Sequence, residues 1–151
     1  ERERPERIAQ RTRQLRRAAA ALEAGGVVVV GGDGVHGAAG IDVPFLGGRR
    51  RFRLGPASLA VGGAAALVPL FSSISADGRI ELRFEPAVEA DGTDDDARID
   101  ELTRRLAARF EAAWPRLLGS LRWGILRRTW SALEGGRSDL PRDPLDSRAI
   151  P

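Results

Sequence analysis

The side chains able to do chemistry in this chain are few, and most gather in one stretch. Gly31-Gly32-Asp33-Gly34 sets a single carboxylate in a glycine-rich turn directly after the apolar run Val27–Val30. A strand ending in glycines lets backbone amides approach an anion, so the turn reads as a ligand-facing loop, with Asp33 placed to bind a polar group. Further on, Arg49, Arg50, Arg51 and Arg53 form a compact cation cluster interleaved with Phe52. Guanidinium groups bind oxyanions bidentately, which suits phosphate, phosphopantetheine or an anionic headgroup; a solvated basic loop is the competing reading. His36 and Asp42 suggest a proton-transfer pair, but a His-x4-Asp motif needs its acid at position 41, which is Ile41. A lone His in a glycine-rich loop reads as a solvated residue rather than a base. The chain has no Cys nucleophile and no G-x-S-x-G elbow. No residue of it is assigned a catalytic role.

The same inventory excludes other chemistries. With no Cys and one His, thiolate sites and a multi-histidine metal centre are ruled out, and neither a metal nor a cofactor is expected. All 24 basic residues are Arg, yet 21 acids leave a net charge of only +3. Tight nucleic-acid binding draws on a larger clustered excess, so nucleic acid is not the expected partner. No apolar run approaches the roughly 20 residues that span a bilayer, and no signal peptide is visible. The sequence begins at Glu1 and contains no Met, from which we expect a processed product or a fragment lacking its N-terminal part.

The elements that must hold these residues follow from periodicity and punctuation. Residues 5–24 read as a helix, with Ile8, Leu15, Leu22 and the alanines between them on one face and Arg7, Arg11, Arg13 and Arg17 largely off it. That helix suits either an acidic membrane surface or a core contact with a charged outer face. Val27–Val30 has the β-branched composition of a strand covered on both faces. Residues 37–48 read as loop ending in Val43-Pro44-Phe45-Leu46-Gly47, and Pro56 opens a short helix over Ala57–Ala66 in which Gly62-Gly63 permits close packing. Leu67–Ser73 is the next expected strand. Asp77-Gly78 marks a hairpin turn into a half-exposed strand where Ile80, Leu82 and Phe84 alternate with Glu81, Arg83 and Glu85.

The acidic run Asp91–Asp96 precedes a helix with an Ile99, Leu102, Leu106, Phe110, Ala113 stripe that Pro115 closes. Trp114, Trp123 and Trp130 with Arg122, Arg127 and Arg128 fit an interfacial belt or a buried core equally. This order predicts an α/β fold, a mostly parallel sheet flanked by helices. One incomplete domain over residues 1–134 is expected, with a disordered tail over 135–151.

Taken together, these motifs resemble the C-terminal half of a lysophospholipid acyltransferase, specifically the branch that acylates bacterial lipid A precursors. The carriers are Asp33 and Gly37 in the loop, Val43-Pro44-Phe45-Leu46-Gly47, Gly55-Pro56-Ala57-Ser58-Leu59-Ala60, Ala64 to Pro69, Trp114-Pro115 and Arg122-Trp123. Their order and spacing extend over roughly residues 8–130. The resemblance implies transfer of a fatty acyl group from a coenzyme A or acyl-carrier thioester to a glycolipid or lysophospholipid hydroxyl. It further implies peripheral attachment at the cytoplasmic face of the bacterial inner membrane. The family's catalytic His-x4-Asp is not present in these 151 residues and is expected upstream. The chain would then supply part of the acceptor and acyl cleft, with Asp33, Arg49, Arg50, Arg51 and Arg53 facing the ligand. Two other readings stay open. One is a non-catalytic module that binds anionic lipid or nucleic acid. The other is a degenerate kinase, since VVVVGGDG looks like the GGDGT loop of diacylglycerol and NAD kinases, with Val35 where that family has Thr.

Overall fold

The computed structural model describes residues 5–32, 39–75 and 77–117. Its elements are, in order, α1 (Pro5–Glu23), β1 (Gly40–Phe45), β2 (Gly48–Arg53), α2 (Gly55–Gly62), β3 (Leu70–Ile74), β4 (Ile80–Phe84) and α3 (Asp95–Leu117). The mix of helices and strands is the expected one, but among the described residues the expected mostly parallel sheet does not form. The strands form two separate antiparallel pairs, β1 with β2 and β3 with β4. The cause is the connections: parallel neighbours need a crossover of a dozen or more residues, whereas β2 turns straight back on β1 and β4 on β3. Helix α2 thus links two hairpins instead of crossing between parallel strands.

α3 carries both cores. Its N-terminus is capped by Asp94, whose carboxylate accepts the Ala97 N–H at 2.8 Å, and Asp95 and Asp96 complement the dipole in the first turn. Leu102, with Ile99 beside it, packs with Ala57, Val61, Leu67 and Val88. One to four turns further along, Ala107, Phe110 and Trp114 meet Ile41, Val43, Phe45 and Phe52 of the first hairpin. Trp114 is therefore a core residue, as the second reading of the tryptophans had it. Trp123, Trp130 and the tail 135–151 lie outside the described residues. Pro115, expected to close the helix, sits inside α3, which is described as far as Leu117; a proline there removes one hydrogen bond from a helix already held by the turns before it.

Three further expectations are corrected. Val27–Val30 forms no strand, and Val27 is 89% exposed; β-branched composition reports fitness for a covered sheet position, and among the described residues no ladder covers this run. Residues 40–45, expected as loop, are β1. The helix expected over Ala57–Ala66 begins at Gly55 and ends at Gly62, and Ala64 follows in a left-handed conformation (φ 46°). The expected strand at Leu67 is a single bridge to Val88, with β3 starting at Leu70. α1 matches its expected span and packs its C-terminal part on α2, where a Cβ on Gly63 would come within 2.9 Å of Leu22. That contact is the close approach the Gly62-Gly63 pair was read for. No helix among the described residues is long and apolar enough to cross a membrane.

Candidate functional site

The arginine cluster lies on a strand, and the strand sorts it. Phe45-Leu46-Gly47-Gly48 closes the first hairpin with a two-residue turn whose central residues both have positive φ, 51° at Leu46 and 77° at Gly47. Such primed turns match the right-handed twist of the strands they join. Counting from this turn, Ile41↔Phe52, Val43↔Arg50 and Phe45↔Gly48 face one side, and Gly40↔Arg53, Asp42↔Arg51 and Pro44↔Arg49 face the other. The second set occupies the non-hydrogen-bonded positions, where Pro44 loses no ladder bond and opposite side chains stand closest.

The outer face is cationic. Arg51 pairs with Asp42 directly across the ladder at 3.2 Å, both side chains about half exposed. Arg49 donates to the Asp42 carbonyl at 3.2 Å and Arg53 to the Ala39 carbonyl at 3.4 Å. Arg49, Arg51 and Arg53 thus stand side by side on one face of β2. The Arg51–Asp42 pair is screened by solvent and contributes only about 0–1 kcal/mol.

Arg50 is different in kind. It points to the inner face and is 3% exposed. Its guanidinium lies 5.4, 5.1 and 5.6 Å from the ring centroids of Phe45, Phe52 and Phe110. A planar cation against ring faces is stabilised electrostatically, by about 2 kcal/mol when desolvated. The four arginines read as one cluster are thus divided, with Arg49, Arg51 and Arg53 on the outer face and Arg50 inside an aromatic box. Asp33 and His36 lie outside the described residues.

Sequence reading missed Glu111. From α3, its Oε1 accepts the Leu46 N–H at 2.6 Å, tying helix to turn. The only sequence signal for it is its place, one residue after Phe110 on the core stripe. Two other polar arrangements serve to fasten the chain. Arg105 donates to the Glu89 carbonyl at 2.8 Å and pairs with Asp91 and Glu101, binding the segment before α3 to the helix. In the β3–β4 turn the Ser75 hydroxyl donates to Asp77, and this bond, helped by the backbone N–H groups of Arg79 and Asp77, holds the Asp77 carboxyl below its ordinary value. Among the described residues no three His, Asp or Glu side chains converge on a common point.

The family model described as bacterial lipid A biosynthesis acyltransferase matches residues 2–114. No curated protein matches the chain.

Proposed function

The chain belongs to the bacterial lipid A biosynthesis acyltransferase family, and from that premise we propose that it contributes the acceptor-holding surface of an acyl transfer at the cytoplasmic face of the inner membrane. In this reading a fatty acyl group passes from a coenzyme A or acyl-carrier thioester to a hydroxyl of a glycolipid or lysophospholipid. The chain's own residues bind and orient the acceptor. Arg49, Arg51 and Arg53 hold its phosphate, and Asp33 binds a polar group of the acceptor.

The observation that supports this most is the outer face of the β1–β2 hairpin, which aligns Arg49, Arg51 and Arg53 on one side of a strand within the family-matched region. Arg50, fixed among Phe45, Phe52 and Phe110, supports the ribbon from behind. Proton transfer is outside this chain's part: its single His has Ile41 where a His-x4-Asp motif needs an acid. The purified 151 residues are therefore expected to show no acyl transfer, and measurable transfer from a thioester donor would overturn that division of labour.

The binding role is tested separately. The chain should sediment with phosphatidylcholine vesicles carrying phosphatidic acid, and replacing Arg49, Arg51 and Arg53 by Gln should weaken this about tenfold or more, as loss of charge-assisted phosphate contacts does. A parallel titration with inorganic pyrophosphate separates recognition of phosphate itself from attraction to a charged surface. Unchanged vesicle binding by the triple variant would sink the assignment. The second reading, a non-catalytic anionic-lipid module, rests on the same arginine face, and an acyl-transfer assay with the complete catalytic machinery separates the two.

A further inference from the structure

We propose that Glu111 is a positioning residue for the arginine face, holding the turn that decides which side chains of β2 look outward. The proposal rests on the reading of that face as the phosphate-binding surface, and goes beyond it by assigning its control to a residue of α3.

Three observations converge on the turn. Leu46 adopts a left-handed conformation (φ 51°) at the first central position of a primed two-residue turn. That position favours Gly, Asn or Asp, because a Cβ there crowds the following carbonyl. A leucine occupies it, packed against the core cluster of Val43, Phe45, Phe52, Ala107 and Trp114. The N–H of this residue points away from the strand ladder, and the Glu111 carboxylate accepts it at 2.6 Å across a separation of 65 residues. Packing and a charge-assisted hydrogen bond thus hold a backbone conformation that Leu46 would not choose alone.

What they hold has a sharp consequence. Side chains alternate with a period of two along β2, so a shift of one residue in the pairing would turn Arg50 and Phe52 outward and carry Arg49, Arg51 and Arg53 towards the core. In a two-residue hairpin the turn sets the register. Glu111 acts at that point. Its hydrogen bond goes to the Leu46 N–H, so it acts on the three arginines through the turn.

The test compares Glu111→Ala with Glu111→Gln in the full chain, reading affinity for phosphatidylcholine vesicles containing phosphatidic acid. Glu111→Gln keeps a carbonyl acceptor and should bind within about twofold of the parent. Glu111→Ala should bind about three- to tenfold more weakly, the equilibrium worth of one hydrogen bond. Adding Leu46→Gly to Glu111→Ala should restore most of the loss, because glycine adopts the left-handed turn without support. In a background where Arg49, Arg51 and Arg53 are already Gln, Glu111→Ala should have no further effect. If the arginine variant itself binds normally, the phosphate-face reading fails. If that variant is impaired but Glu111→Ala binds like the parent, or weakens binding equally in both backgrounds, the positioning role is overturned.

Discussion

The two hairpins of this molecule are nearly matched in construction and opposite in disposition. Each is a five- or six-residue antiparallel pair placed against α3. The first lays its apolar side, Ile41, Val43, Phe45 and Phe52, on Phe110 and Trp114 and shows its arginines outward. The second meets the helix through Phe71, stacked on Phe110 at 6.1 Å, and through Glu85, held by Arg116 at 3.1 Å. Its other face carries Leu70, Ile74, Ile80, Leu82 and Phe84, which are 37–74% exposed. Alternation in a sequence therefore tells which residues share a face, but the neighbour tells which face is covered.

Substitutions at equivalent apolar positions should break the likeness most. Phe45→Ala removes a ring that touches Phe52, Phe110 and Trp114, and should cost about 3–5 kcal/mol in urea unfolding. Leu82→Ala on the second hairpin should stay within about 0.5 kcal/mol, as surface changes do. A large loss at Leu82 would mean that its face is covered in solution. Next in size, Arg50→Ala should cost about 2 kcal/mol through lost ring contacts and packing. By contrast, Arg51→Ala should cost no more than about 1 kcal/mol. Equal effects would contradict the division of the cluster.

The turns sharpen the contrast further. Gly47 and Gly78 both have positive φ, 77° and 82°, and Ala at either should cost about 1–2 kcal/mol by thermal denaturation. Only Gly47→Ala should also weaken binding to phosphatidic acid vesicles. The smallest effect is a pH dependence confined to the second hairpin. Asp77 has a depressed folded-state value owing first to Ser75, so its support is present above its unfolded value and fades as pH falls through the folded one. Asp77→Asn should abolish that portion of the acid sensitivity in melting curves, and an unaltered profile would contradict it.

Much of this was readable beforehand, for identifiable reasons. α1 and α3 announce themselves through periodic stripes, and Asp91–Asp96 with Asp94 at the cap marks the start of α3. The Asp77-Gly78 turn and the Ile80, Leu82, Phe84 alternation gave β3–β4 its pairing but not its exposure. β1 was missed because Gly40 and Pro44 are poor strand residues; the alternating Ile41, Val43 and Phe45 were the signal, and Pro44 fits because it takes a non-hydrogen-bonded position. Val27–Val30 misled in the opposite direction, since composition cannot supply a ladder partner. At the site, residue type identified the arginines, whereas their separation into two faces depends on register, which Leu46, Gly47 and Glu111 set through contacts distant in sequence.

That distance bears on how the chain reaches its fold. A hairpin forms in about 1–10 µs from local contacts alone, but the contacts that sort the first hairpin's faces come from a helix 65 residues downstream of Leu46. During synthesis at about 5–20 residues per second, β1 and β2 are complete several seconds before Phe110, Glu111 and Trp114 exist. Through that interval Phe45 and Phe52 have no helix to cover them, and the outward orientation of the arginines has no anchor. Docking of α3 is thus the long-range step that commits the ribbon, and substitutions in the Phe110–Trp114 stretch should slow refolding more than equally destabilising ones in β3–β4.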